Sequence, residues 1–434
     1  MNVASGGLEG PTECYILGTP GGTLAGQYLF TAVGPVSSSA VPLCGHTMSV
    51  SPTEGQCSGE SLSRFLREAW PLAARTEQPI HEPYLSNRIW ALTPRRTVMP
   101  FPPVAIASFV AALALSYPAY ADDHKTYGPE LEGFAYPYEV HRFQFTSQEA
   151  NVVMAYMDVT AQQPNGRTAV LLHGRNFCAA TWEGTLRVLS EAGYRVIAPD
   201  QIGFCKSSKP LNYQFSIQQL ATNTNALVKS LGIARAIYIG HSFGGMTAIR
   251  YALMFPDAVE RLVLVNPIGL EDWQAKGAPY LEIDKELLIE RQTNFDSIKQ
   301  YEERIYYAGQ WRPDYDRWVE MLAGMFTGPG GDVVSRVQAR IFDMAFTQPV
   351  VHEFERIRPP TTLMIGQLDR TALAANRAAP EIAKTLGNYP ELGRDAARRI
   401  PNSKLIEFPQ LGHAPQIQAP DEFHAALIKA LAER

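Results

Sequence analysis

Lysine and aspartate are both missing from the first 98 residues of this 434-residue chain. Histidine aside, the basic residues there are all arginine and the acidic ones all glutamate. Gly, Ser, Thr and Pro are scattered without period, so no amphipathic pattern runs long enough to build a core. Three further things are scarce in the whole chain. No apolar run approaches the roughly 20 residues a membrane-crossing helix needs, which excludes a stable span of that kind. Charged residues make up 19% and the net charge is −5, which excludes the basic footprint of a nucleic-acid-binding or polybasic membrane-binding protein. Of five cysteines, Cys14, Cys44 and Cys57 lie in the first 98 residues, leaving Cys178 and Cys205. His and Cys are nowhere clustered at ligand spacing, so no metal and no organic cofactor are expected.

Beyond the depleted leader comes Arg95-Arg96-Thr97-Val98-Met99, then an apolar stretch at 104–115, then Ala119-Tyr120-Ala121 before Asp122-Asp123. Basic residues, a short apolar core and a small-x-small site describe a secretory signal peptide. Such a signal works at an N-terminus. Residues 1–94 are therefore read as a non-globular leader ahead of the true start of translation, near Val98 or Met99. A start slightly upstream keeps the arginine pair that a start at Met99 loses. The alternative is a disordered N-terminal extension. Residues 95–121 are then the signal and 122–434 the mature domain, periplasmic or secreted.

Within that domain, 140–145 and 152–157 alternate or run apolar around a break at 147–151 and read as a hairpin. Continuous apolar runs follow at 168–172, 194–198, 236–239, 261–265, 362–365 and 404–408, as expected of strands buried on both faces. Helical patterns at 181–192, 216–231, 245–255 and 422–432 fall between and after them. The alternation predicts an α/β fold, a mostly parallel eight-stranded sheet with helices on both faces. One segment, 272–354, is too long for a single crossover. It is helical in pattern and rich in aromatics, and is expected to be a helical lid over an apolar pocket. Trp311, Trp318 and Phe326 are its candidate pocket residues, most of its aromatics being filling for its own core.

Ile237-Tyr238-Ile239-Gly240-His241-Ser242-Phe243-Gly244-Gly245 is an apolar run ending in Gly-x-Ser-x-Gly, with a helical pattern directly after. A strand, a tight turn and a helix would leave Ser242 Oγ exposed above the sheet. A Cβ at position 240 or 244 would strike the neighbouring strand or helix. The Phe243 N–H would open the helix, where an oxyanion is stabilised. A serine hydroxyl needs a base to take its proton, and the base needs an orienting carboxylate. Asp369, just past the strand at 362–365, and His413, just past the last strand, sit at the same sheet edge as Ser242. Open α/β sheets take their ligands at that edge. Of the nine histidines, His46 and His81 lie in the leader, His124 and His141 precede the parallel strands, and His352 and His424 are on helical stretches. His241 adjoins Ser242 and is poorly placed as its base. His173 reads as structural. Glu271 and Asp272 also follow a strand and are the rival acids to Asp369.

These pieces together resemble the α/β-hydrolase superfamily: Leu172-His173-Gly174, Pro199-Asp200-Gln201-Ile202-Gly203-Phe204, Gly240-His241-Ser242-Phe243-Gly244-Gly245, Gly366-Gln367-Leu368-Asp369 and Gly412-His413, in order within 140–430. The Asp200 segment is similar to the lid-containing, haloperoxidase- and epoxide-hydrolase-like branch. Dehalogenases and epoxide hydrolases of that branch carry an Asp nucleophile where this chain has Ser242, which argues against both activities. The resemblance implies the α/β-hydrolase fold and the order Ser242, Asp369, His413. It implies a second oxyanion donor from the loop after an early strand, the backbone N–H of Arg175 or of Asn176. It also places the strands ending at Leu172 and Ala198 side by side, so that Cys178 and Cys205 are predicted to form a disulfide; the alternative is two free buried thiols. The function implied is a serine hydrolase acting on small or moderately apolar carboxylic esters, with no nucleic-acid partner. Alternatives with the same triad are a lactonase, C–C hydrolase, aminopeptidase or acyltransferase, or a ligand-binding protein of low turnover.

Overall fold

The computed structural model describes residues 124–433. The leader and signal expectations, with Cys14, Cys44, Cys57, His46 and His81, lie outside the described residues. Eight strands form one sheet: β1 Val140–Ser147, β2 Ala150–Val159, β3 Thr168–Leu172, β4 Arg195–Pro199, β5 Ala236–His241, β6 Val259–Val265, β7 Thr361–Gly366 and β8 Ser403–Phe408. Their spatial order is β1-β2-β4-β3-β5-β6-β7-β8. The β1–β2 and β2–β4 pairs are antiparallel and every other pair is parallel. This is the expected α/β-hydrolase sheet.

The parallel strands are largely apolar because each face of the sheet has its own buried layer. Val170, Leu172, Tyr238, Leu262 and Leu264 face one layer. Ala169, Leu171, Ile237, Ile239 and Val263 face the other. Successive side chains alternate sides, so each strand feeds both cores. The helices that cover the faces include α1 Glu183–Glu191, α2 Ile217–Ser230 and α3 Phe243–Met254. A 3₁₀ turn, Ala179–Trp182, precedes α1. Ser216 caps α2 by accepting a hydrogen bond from Gln219 N–H.

Between β6 and β7 the chain makes the expected helical insertion: α4 Ile283–Glu290, α5 Phe295–Ile305, α6 Asp316–Thr327 and α7 Gly331–Thr347. After β7 come the short α8 Pro380–Ala383 and then α9 Tyr389–Arg399. The helix α9 was not legible in the sequence. It buries Tyr389, Gly393 and Ala396, with Leu392 and Ala397 packed partly buried beside them. The short α10 Pro415–Gln418 and α11 Pro420–Ala432 close the chain.

Candidate active site

Ser242 sits between β5 and α3 with φ 54° and ψ −120°. A side-chain-bearing residue held at positive φ costs on the order of 1–3 kcal/mol. Its surroundings over-determine it. Ser242 N–H donates to Val265 O at 3.0 Å, and Ser242 O accepts from the N–H groups of Gly245, Met246 and Ile268. The flanking glycines are required by close approach: a Cβ on Gly244 would lie 2.1 Å from Leu172 O, and one on Gly240 would lie 2.4 Å from Gly244 O. Phe243 is the first residue of α3, and its N–H has no acceptor within the helix ladder.

His413 follows β8 and is fully buried. Its Nδ1 lies 2.6 Å from Asp369 Oδ2. Its backbone is held at both ends, with His413 N–H donating to Tyr306 O at 2.8 Å and its carbonyl accepting from His241 Nε2 at 2.8 Å. That second bond ties the histidine to the residue immediately before Ser242. His413 Nε2 is buried and has no hydrogen-bond partner among the described residues. With Nδ1–H donating to a carboxylate, the neutral ring presents a free lone pair at Nε2, the form a general base needs.

Asp369 is fully buried too, and three groups define its position. Oδ2 accepts from His413 and from Asn266 Nδ2 at 2.8 Å, and Oδ1 accepts from Thr371 N–H at 2.8 Å. Asn266 escaped the sequence reading. It directly follows β6 and also accepts from Gly366 N–H at 2.9 Å, so one amide aligns β6, β7 and the carboxylate. A signal was present, an Asn at the C-terminal edge of a buried strand. The rival acids are engaged elsewhere. Glu271 accepts from Trp273 Nε1, Gly387 N–H and Lys276 Nζ. Asp272 contacts His352 and Ala275 N–H.

The loop after β3 lies against this centre. A Cβ on Gly174 would meet Ser242 Cβ at 3.1 Å. His173 shapes the loop: its Nε2 accepts from Gln201 N–H at 3.1 Å, so its Nδ1 carries the proton toward Gly174 O at 2.8 Å. Burial pushes its pKa down. His241 is likewise held neutral by burial and by its neighbour His413. His424 packs on Thr185 with its pKa lowered to about 4 by burial. Cys178 and Cys205 are joined by a disulfide. Beside it Asp200 accepts from Ala179 N–H, Lys206 N–H and Tyr136 Oη. Among the described residues, these two cysteines with Asp200 are the one grouping of metal-ligand type, and the disulfide occupies both sulfurs.

A cavity of about 430 Å³ opens at Ser242, bounded by the helical insertion and the loop after Asp369. Phe326 lines it; Trp311 and Trp318 do not. Trp311 is fastened inside the insertion by its Nε1 on Asp316 and by edge contacts with Tyr307 and Tyr315. Trp318 is buried under Arg317. Both fill the insertion's own core. The walls are mostly apolar, as expected, but they also carry charge. Beside Ile268, Leu322 and Phe342 stand the charged Arg175, Glu286, Glu290 and Arg377. The residues flanking the proposed oxyanion N–H are gripped by the insertion: Arg175 pairs with Glu290 of α4, and Asn176 Nδ2 donates to Glu302 Oε1 of α5 at 3.3 Å. Glu302 is buried with no cation paired to it among the described residues, and burial pushes its carboxyl up to about 8.

The family model for the alpha/beta hydrolase fold matches residues 169–420. A probable hydrolytic enzyme from Pseudomonas aeruginosa PAO1, solved as a crystal structure, is 57% identical, covers 71% of this chain and 99% of its own, and superposes with a TM-score of 0.71. The 2-hydroxymuconate semialdehyde hydrolase of Pseudomonas putida is 28% identical over 282 residues, which are 62% of this chain and 89% of that protein. An esterase from Exiguobacterium antarcticum shares the fold at 20% identity and a TM-score of 0.53, over 65% of this chain and 97% of its own.

Proposed function

The chain belongs to the alpha/beta hydrolase family and is a hydrolase, and we propose that it cleaves carboxylic esters through an acyl-enzyme on Ser242. His413 Nε2 takes the Oγ proton as Oγ attacks the acyl carbon. Asp369 holds the imidazole and stabilises its cation. The N–H groups of Phe243 and Arg175 receive the oxyanion. His413 passes its proton to the leaving alcohol, then draws a proton from the water that attacks the acyl-enzyme and frees the acid. The observation that carries this reading is the buried His413–Asp369 pair, which leaves Nε2 as an unpartnered base beside the strained serine turn.

The insertion α4–α7 is read as a lid over the cavity. The Cys178–Cys205 disulfide supports export, because such bonds persist in oxidising compartments. A second reading, cleavage of a C–C bond by the same triad, draws on the activity named for the Pseudomonas putida relative.

A fluorophosphonate probe tests the nucleophile. The wild-type protein should label and Ser242→Ala should not. A folded wild-type protein that never labels would instead be a binding protein. Turnover of p-nitrophenyl esters beside vinylogous 1,5-diketones separates ester from C–C cleavage.

A further inference from the structure

Arg175, in the loop after β3, and Arg377, in the 3₁₀ turn Ala375–Arg377 after β7, meet on one ring. Their guanidinium carbons lie 5.5 and 4.9 Å from the centroid of Phe342 on α7. Two carboxylates on one face of α4, a turn apart, hold them: Glu290 pairs with Arg175, and Glu286 with Arg377 at 2.5 Å. All five side chains line the cavity that reaches Ser242.

Four charges that sum to zero would suffice to fasten the insertion to the two loops. Three observations exceed that role. The carboxylate side chains are 7% and 3% exposed but the arginines 22% and 18%, so the cationic side of each pair is the more accessible. Each guanidinium spends only Nη2 on its carboxylate, Nη1 makes no hydrogen bond among the described residues, and Nε is buried without an acceptor. Donors therefore outnumber acceptors. Arg304 and Arg370 also line the cavity, with no carboxylate partner among the described residues. The charged wall is four arginines against two glutamates, and it favours an anion. A planar fork of N–H donors matches a carboxylate.

We propose that Arg175 and Arg377 form a carboxylate-binding subsite, and that the substrate is an ester carrying a carboxylate remote from the scissile bond. This rests on Ser242 being the nucleophile: Arg175 then joins the subsite to the oxyanion loop, one side chain from the reacting carbonyl. The two glutamates preorganise the guanidiniums, and Phe342 fixes their planes.

Two p-nitrophenyl esters of equal chain length test it, the mono-glutarate and the neutral valerate. The glutarate-to-valerate ratio of kcat/KM should exceed one in the wild type and fall with added salt. It should drop about tenfold or more in Arg377→Gln, the usual effect of losing a charge-assisted hydrogen bond. Arg377→Lys, which keeps the charge but not the fork, should recover only part of it. A ratio below one in the wild type, or one that Arg377→Gln leaves unmoved while both esters slow in step, overturns the subsite in favour of a fastening role. Calorimetric titration of the wild-type protein with glutarate and with glutaramide reads the subsite without catalysis or mutation. Salt-sensitive binding of glutarate alone supports it, and equal or absent binding of both overturns it. If no serine labels and neither ester turns over, it is the serine-hydrolase reading that has failed, and the titration still decides the subsite.

Discussion

Asn266 Nδ2 donates to Asp369 Oδ2 at 2.8 Å, the same oxygen that meets His413 Nδ1 at 2.6 Å. One amide directly after β6 thus fixes the carboxylate that fixes the imidazole. Asn266→Ala removes that donor and leaves Gly366 N–H without its acceptor. We expect kcat to fall about tenfold with little change in KM, the scale of one hydrogen bond to a charged group. Steady-state kinetics alongside Tm checks this; equal losses in kcat/KM and stability with kcat intact would point to a purely structural amide.

Asp369→Asn keeps the shape of the acid but removes its charge, and should lower kcat by about 10⁴. Groups that act as a unit are not additive. The double variant Ser242→Ala/His413→Ala should therefore be no slower than Ser242→Ala alone. Additive losses would mean that the two side chains work separately.

Gly244→Ala tests the packing of the turn. The new methyl would lie 2.1 Å from the backbone oxygen of Leu172, a contact that no rotamer relieves. The cost should exceed about 3 kcal/mol, as for other severe overpacking. Chemical denaturation reads it; a midpoint like that of the wild type would contradict the close approach.

The Cys178–Cys205 bond closes a loop of sequence separation 27, which corresponds to about 3–4 kcal/mol in the chain-entropy model. Cys178→Ser/Cys205→Ser should lose that much unfolding free energy and so unfold at a lower guanidinium concentration. Dithiothreitol should shift the wild-type midpoint in the same direction and leave the double variant unmoved.

Glu302 gives the pH dependence a sign. Burial raises its folded pKa to about 8, above an unfolded value near 4.3. The folded state therefore favours the protonated acid. The resulting stability is full below the unfolded pKa, declines as pH rises toward about 8, and is gone above it. Glu302→Gln, which mimics the neutral acid, should lose less Tm than the wild type from about pH 6 to about pH 9. Calorimetric melts across that range decide it, and parallel curves for the two proteins would remove Glu302 from the account.

The sequence by itself determined the strands and their order, and the longer helices apart from α9. Strands buried on both faces need a continuous apolar run, so β3 to β7 stood out. The Gly-x-Ser-x-Gly turn between a strand and a helix was legible because only glycine tolerates its contacts. Asp369 and His413 were legible as polar residues placed just past apolar strands. Tertiary structure decided what spacing cannot carry. It brought Asn266 onto Asp369 across adjacent strands, and it set Arg175 and Arg377 on Phe342 from three distant segments. It also turned Trp311 and Trp318 away from the cavity, because an aromatic reads alike in a sequence whether it fills a helical core or lines a pocket. Local periodicity reports which face of an element is buried; only the folded chain decides what that face is buried against.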